Sequence, residues 1–468
     1  MANNNEKRVK REELMRSGPI APAIGKMALP CIVSFLITSI YSLADTYFVS
    51  SIGTQATAAV GINSSLEMLI NMVGSLFAMG AGSLVSRLLG AREKDRAETI
   101  FSSCFNIVGI FGILLLILGS VFMHPLVRFL GATPSVEQYS IQYATYVLLA
   151  APFMSTSFVL NQCLRAEGSA IFSMFGMGFG GILNCILDPI FIFKFGLGVS
   201  GASIATAISK FVSFCILIFP YLTHRSILRL HLNRIRMGWK SFKEVMIMGS
   251  SALLRTLLAV VSGIIMNTVA GSISDSVLAS ISVCNKVMMF PFGIALGFGQ
   301  GYQPISGYNW GAKQYDRVKE SFRVAFRIGM IGSILLAAVV GIFANQLMSL
   351  FTDADLEMLK VGALSIRLQC AALPLHVFGL VVNMLCISTG NGKGALLLPI
   401  SRQGIFFIPF IHLSAYLFGA NGIASVQALA DVLSLILVVP LCIRMLKFVN
   451  ETEKNYLARP QGTEAYEA

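Results

Sequence analysis

The sequence predicts an all-α polytopic membrane protein: about twelve transmembrane helices in two parallel, pseudo-twofold-related six-helix lobes. Three observations lead there. First, the 468 residues are 55% apolar and 12% charged, with a mean hydropathy of +0.74. Soluble domains carry about 25% charged residues, so this chain cannot cover a water-facing surface. Second, windows such as 107–122, 211–222 and 331–344 hold no charge, as a span of about 20 apolar residues demands. Third, a seven-residue phrase occurs twice. Gly90-Ala91-Arg92-Glu93-Lys94-Asp95-Arg96 returns as Gly311-Ala312-Lys313-Gln314-Tyr315-Asp316-Arg317, 221 residues later. Ile52 and Ile273, Ala58 and Ala279, and Gly80 and Gly301 keep that offset. Pro152 and Pro374, Asn161 and Asn383, and Gly168 and Gly390 follow it with a slip of one. A membrane protein built from two related halves moves something between them as a rule.

The spans follow in order. The first half gives 22–48, 57–81, 98–123, 135–162, 170–193 and 199–220. The second gives 243–270, 277–302, 321–346, 357–388, 396–419 and 422–446. An even number per half keeps both halves in one orientation, so the repeat axis lies along the membrane normal. The chain therefore divides into an N-terminal segment (1–21), an N-lobe (22–220), a basic linker (221–242), a C-lobe (243–446) and a tail (447–468), the tail reading as disordered from Asn450 to Ala468. The first apolar run begins near Ile24, behind Lys7, Arg8, Lys10, Arg11 and Arg16. It is too long for a cleavable leader and reads as a retained span.

The formal charge is +12, but the basic residues sit mainly between spans, which speaks for membrane orientation and against nucleic acid. Arg87, Arg92, Lys94 and Arg96, then Arg225, Arg229, Arg234, Arg236 and Lys240, then Lys313, Arg317 and Lys319 belong to one side; the alternate connections are poor in Lys and Arg. Both termini are expected in the cytoplasm. The linker reads as a solvated connection whose charge sets orientation, with contact to anionic headgroups as the alternative. Nine cysteines stand singly, without the spacing of a zinc site or a disulfide framework.

Ionisable residues inside spans carry the functional signal, because a charge in the hydrocarbon core costs at least about 2.5–3.5 kcal/mol. In the first half these are Asp45, Glu67 and Asp188. Asn184 sits one helical turn before Asp188, on the same face, and Thr206 lies on the next helix. Topology puts Asp45, Asn184, Asp188 and Thr206 at one depth, toward the outer side. Pro189 cannot continue the backbone ladder and favours a bend there. These oxygens suit Na⁺ or a proton shared between acids; a polar network that only locks helices is the structural alternative. Glu67, at comparable depth on span two, is a candidate further member. The second half instead holds Arg255, Lys286, Arg367, His376, Arg402, His412 and one acid, Asp431. Asp431 matches His412 in depth as a helix-locking pair. Lys286, ahead of Pro291, either faces the cavity, snorkels or pairs.

These residues meet a known family. The ALP…SLADTYFVSSIGTQATAAVG pattern around Asp45, Arg87-Leu88-Leu89-Gly90-Ala91 and Leu164-Arg165-Ala166-Glu167-Gly168 resemble multidrug and toxic compound extrusion (MATE) transporters. So do Asn184-Cys185-Ile186-Leu187-Asp188-Pro189, Gly201-Ala202-Ser203-Ile204-Ala205-Thr206 and Ser401-Arg402-Gln403-Gly404 with Pro409. The nearest branch is the bacterial one holding the DNA-damage-inducible F type and the Gram-positive multidrug exporters. The resemblance implies an antiporter of the bacterial plasma or inner membrane, with two lobes around a central cleft that opens alternately to either side; a monomer is expected. It would export amphipathic drugs or toxic organic compounds against H⁺ or Na⁺, with membrane lipids as its surroundings and no cofactor. The family's N-lobe ion residues fall on Asp45, Asn184, Asp188 and Thr206, and Tyr143 resembles an aromatic member of that pocket. Relatives carry acids near the position of Gln300 that attract cationic drugs; Gln300 with Arg255 and Lys286 departs from that pattern. Tyr143, Glu67, Lys286 and Gln300 are thus the substrate-cavity candidates.

Two other readings are weaker. A flippase of lipid-linked precursors would use the basic second half for a pyrophosphate headgroup, but the chain has twelve spans and no added ones. A membrane-embedded transferase would need paired Asp-rich motifs or a placed histidine, whereas His124, His376 and His412 stand alone.

Overall fold

The structure, a computed structural model, describes residues 11–233, 237–351 and 355–458. Among the described residues, eleven continuous helices are long and apolar enough to cross a membrane. The last covers 66 residues, Gly392–Leu457, or roughly 100 Å if straight, which no bilayer about 30 Å thick can hold. It breaks at Gly419, where φ is 56° and ψ −131°, a conformation open to glycine alone. Past the break, Gly422 packs on the Ser414 carbonyl, so the chain has reversed and twelve spans result.

They are α1 (Ile20–Ser50), α2 (Thr54–Gly90), α3 (Lys94–Val121), α4 (Glu137–Ala166), α5 (Ala170–Pro189) and α6 (Gly198–Leu222). The second set is α7 (Trp239–Ile273), α8 (Asp275–Gly311), α9 (Tyr315–Ile342) and α10 (Leu356–Thr389), then α11 (Gly392–Pro399 and onward to the Gly419 break) and α12 (residues 420–457). Short helices at Met123–Phe129 and Ala344–Ser349 repeat one another at the 221-residue offset and follow the spans α3 and α9 as separate elements that the sequence reading did not distinguish. Pro189 and Pro399 each lack the N–H that would close the α-helical bond, and each is followed by π-helix, Ile190–Lys194 and Ile400–Phe407. The expected bend at Pro189 is thus a local change of helical winding, one of the usual sources of a kink.

Packing explains the duplicated phrase. A Cβ on Gly90 would strike the Tyr308 carbonyl, and one on Gly311 the Arg87 carbonyl; Tyr308 follows Arg87 by the same 221 residues. The two copies touch each other across the pseudo-twofold axis. Arg92 and Lys313, two residues beyond each glycine, both turn the chain at positive φ, 64° and 58°. Nearby, Gly80 and Gly249 bring α2 onto α7, while Gly297 and Gly301 bring α8 onto α1. A Cβ on Gly297 would lie 2.7 Å from the Ile32 backbone. These contacts all fall in the half of the molecule that carries the basic loops, and polar bonds close it further. Ser83 donates to the Ile387 carbonyl at 2.5 Å, Gln162 to Gln303 at 3.3 Å, and Arg87 pairs with Glu244 at 2.6 Å. Toward the opposite side the helices part: Gly293 is last in the stripe to meet α1, at 3.6 Å from Phe35, and Lys286 and Ser282 above it are exposed. The result is a cleft sealed on the basic-loop side and open on the other.

Two stretches differ from the sequence reading. The tail is helical to Leu457, because its residues find partners: Phe448 stacks on Trp310 at 5.6 Å and Glu453 holds Lys319 at 2.7 Å. Residues 459–468 lie outside the described residues. The linker is clamped down rather than solvated. Glu167, 1% exposed, accepts from the Ser226 hydroxyl and from the Ile227 and Leu228 N–H groups at 2.5, 2.8 and 3.2 Å. Glu98 takes the Arg229 N–H at 3.1 Å and lies 3.2 Å from the His231 ring. Burial pushes the Glu167 carboxyl above the usual range, and the hydrogen bonds from Ser226, Ser169 and Leu228 oppose that. Arg234 and Arg236 are outside the described residues, as are Lys7, Arg8 and Lys10.

Candidate functional site: an oxygen-lined pocket in the N-lobe

Glycines on α5 set the site's geometry. Gly178 and Gly181 let α1 approach so closely that added Cβ atoms would lie 3.0 and 3.2 Å from Ile37. Gly181 also faces Tyr41, at 3.3 Å. The two helices run the same way, so one turn further along Asp45 stands level with Cys185, between Asn184 and Asp188. Thr206 of α6 closes the third side. Asn184 donates from its one amide nitrogen toward Asp188 at 3.2 Å and toward Thr206 at 3.4 Å. Asp188 is fully buried, and Asn184 and Thr206 are nearly so. The Asp45 and Asp188 carboxylates lie within electrostatic reach of each other.

Three oxygens here are buried and have no hydrogen-bond partner: Asp45 Oδ1, Asn184 Oδ1 and Asp188 Oδ2. Unmatched acceptors in a low-dielectric interior are costly. With the Thr206 hydroxyl, which Asn184 also reaches, they make a group of hard oxygens on three packed helices. Such a set accommodates Na⁺, or a proton on one of the acids. Among the described residues no group of three or more His, Cys, Asp or Glu is arranged to hold a metal; a monovalent ion has no need of one.

Behind this pocket lies a second polar layer. Tyr143, buried, donates to Glu67 at 3.2 Å. Lys210 donates to the Tyr41 hydroxyl at 3.3 Å, with its ammonium 5.1 Å above that ring. Its charge reaches both Glu67 and Asp45. Sequence reading missed Lys210, although a lysine between Ser209 and Phe211 in an otherwise apolar span is the same signal that marked the acids. A cavity of about 240 Å³ opens beside the pocket, lined by Tyr41, Asn71, Asn161, Asn184, Thr206 and Lys210 among others.

The four substrate-cavity candidates are scattered. Tyr143 and Glu67 bind each other just outside the cavity wall. Lys286 is exposed on the α8 stripe that continues, seven residues on, to Gly293 and faces the open cleft. Gln300, 7% exposed, is closed into the sealed half, so it does not line the cavity. In the C-lobe, Asp431 does not pair with His412, which is exposed. It binds Arg402 through both carboxylate oxygens, with His376 3.6 Å away, because α10, α11 and α12 meet where the π-turn presents Arg402.

Comparison with known proteins agrees with the two-lobed helical fold. The family model described as MatE matches residues 30–190 and again 252–413, one copy in each half. The multidrug export protein MepA of Staphylococcus aureus (strain NCTC 8325 / PS 47) is 28% identical over 421 residues, 89% of this chain and 92% of that protein. MepA of Staphylococcus saprophyticus is 29% identical over 399 residues, 85% of this chain and 87% of its own. Among solved structures, MATE in complex with MaL6 superposes with a TM-score of 0.89 at 24% identity, covering 94% of this chain and 99% of that one. A multidrug resistance MATE family transporter in its outward-facing conformation gives 0.88 at 24% identity, covering 94% and 98%. Two family matches, laid out at the spacing of the internal repeat, show that the chain belongs to the MatE family, and that it is a polytopic membrane transporter and not an enzyme.

Proposed function

We propose that the protein is a cation-coupled antiporter of the bacterial cell membrane, working as a monomer. It takes up H⁺ or Na⁺ and exports amphipathic drugs or other toxic organic compounds by alternating access of its two lobes. The observation that carries this reading is the trio of buried, partnerless oxygens on Asp45, Asn184 and Asp188, two of them carboxylate oxygens, on the packed helices α1 and α5 of one lobe. The names of the staphylococcal relatives support the export of drugs. The basic loops support a cytoplasmic position for both termini, and with that orientation the open side faces outward.

Helix α1 links the ion pocket to the seal. Its outer half carries Asp45 against α5, and its inner half carries Ala28 and Ile32 against Gly301 and Gly297. A cation or proton arriving from outside offsets one of the two negative charges of Asp45 and Asp188, relieves their repulsion and draws their helices together. Because α1 is pinned to both lobes, that movement strains the α1–α8 contact and favours opening on the cytoplasmic side. Lys210 and the polar cavity wall lie next to the pocket, so the charge state of the pocket is felt in the cavity beside it.

The test is efflux of one cationic and one anionic dye from proteoliposomes under imposed sodium or pH gradients. Wild type is expected to move at least one dye under one gradient. Export by Asp188→Asn is expected to fall at least about tenfold, since the amide cannot carry the charge that attracts the ion. Efflux by that variant equal to wild type would sink the coupling role, and no gradient moving either dye would sink antiport.

A further inference from the structure

At the depth where the N-lobe has a cavity, the C-lobe holds ionisable side chains. Met154, Gly180 and Ser209 line the N-lobe cavity; the residues 222 positions later are His376, Arg402 and Asp431. Arg402 occupies both oxygens of Asp431 and lies 5.4 Å over the Phe292 ring, whose edge meets His376 at 5.1 Å. Asp431 is therefore spent on its own neighbours. Every other described carboxylate of the C-lobe sits at a membrane face: Asp275, Asp355 and Glu357 on one side, Glu244, Asp316, Glu320, Glu451 and Glu453 on the other.

Arg255 is left over. It lies midway along α7, half-buried, and forms no hydrogen bond or ion pair among the described residues. Ser262, two turns on and on the same face, donates to the Gln403 carbonyl at 3.1 Å, which directs that face of α7 toward the π-turn holding Arg402. Arg255 is within electrostatic reach of His376. Lys286 adds a second positive charge on the cleft stripe of α8. A guanidinium in the membrane interior without a counter-anion is costly and awaits one, and its planar fork matches a carboxylate or sulfonate.

We propose that the C-lobe binds the acidic group of an amphipathic organic anion, a sulfonate or carboxylate on an aromatic frame, with Arg255 as its receptor and Phe292 as the platform for the frame. The proposal rests on the efflux reading and names its substrate class. The N-lobe, rich in acids, serves the small cation; the C-lobe, with an arginine in excess, serves the organic anion.

Calorimetric titration of the purified full chain in neutral detergent tests this, with 2-naphthalenesulfonate and 2-naphthyltrimethylammonium as probes of one frame and opposite charge. The sulfonate is expected to bind more tightly. Arg255→Gln is expected to weaken it about tenfold or more without weakening the ammonium, and Arg255→Lys to recover part of the loss. Tighter binding of the ammonium to wild type, or sulfonate binding indifferent to Arg255→Gln, would overturn the proposal. Displacement of the sulfonate by phosphatidylglycerol added to the micelles would give Arg255 to a lipid headgroup and overturn it too. The two readings fail separately. A chain that exports a cationic dye on a gradient but does not bind sulfonate retains antiport and loses the anion site. Arg255-dependent sulfonate binding without gradient-driven movement of either dye does the reverse.

Discussion

At Asp188 the side chain has one oxygen held by Asn184 and the other held by nothing, inside a fully buried site. That asymmetry is what separates a receptor from a structural brace: Asp431, with both oxygens bound by Arg402, is a brace. Lys210 sharpens the distinction. Its ammonium is the charge that the bound cation must work against, since it reaches Asp45 and Glu67 from the Tyr41 side. Removing it by Lys210→Gln is expected to lower the half-saturating concentration of the coupling cation several-fold, a modest change because the intervening medium is partly polar. The measurement is the cation dependence of dye efflux; an unchanged or raised half-saturation would show that Lys210 does not share the field of the pocket.

Among the elements, α1 has the most divided loyalty. It packs on α5 of its own lobe and on α8 of the other, and both contacts are made through glycines on the partner helix. Gly297→Val places a branched side chain where the Ile32 backbone lies 2.7 Å from a Cβ, so α1 and α8 must separate. The variant is expected to expose the basic-loop side, read as faster labelling of a cysteine introduced at Ala28 by a reagent supplied from that side. Labelling no faster than in the Gly297 parent would exclude the glycine contact as the seal. Gly180 does not belong to this device. Its neighbours are Ser213 and Ser209 of α6, at 2.9 and 3.1 Å, and Gly180→Val would disturb the N-lobe cavity rather than the closure between lobes.

Across the whole molecule, the seal is a pair of symmetry-related contacts reinforced, among the described residues, by the ion pair of Arg87 with Glu244 between lobes. Both partners are partly exposed, 14% and 32% at the side chain, so the pair contributes no more than about 1 kcal/mol. Arg87→Glu is expected to shift the population toward opening on the basic-loop side, by a factor of about five or more, because repulsion from Glu244 adds to the lost attraction. Arg87→Glu with Glu244→Arg is expected to restore much of it. Distances between spin labels on α2 and α7 at that face would report both; a double variant as open as the single one would show that the charge pairing plays no part.

The sequence by itself determined the spans and their repeat, because a bilayer imposes one rule on every helix and a duplicated lobe imposes it twice. Asp45, Asn184, Asp188 and Thr206 were legible for the same reason: polar atoms are rare enough in a span that depth alone groups them. Depth does not say which way a helix faces. The pairing of Asp431 with Arg402 rather than His412, the withdrawal of Gln300 into the seal, and the meeting of Tyr143 with Glu67 all depend on helix rotation, which close contacts between helices set and hydropathy does not. The folded linker was hidden for a related reason, since its acceptors, Glu98 and Glu167, lie well over a hundred and about sixty residues away in the chain. The tertiary structure alone decided which face of the cleft is shut, because that closure rests on backbone approach between glycines in different lobes, a distance that no single segment encodes.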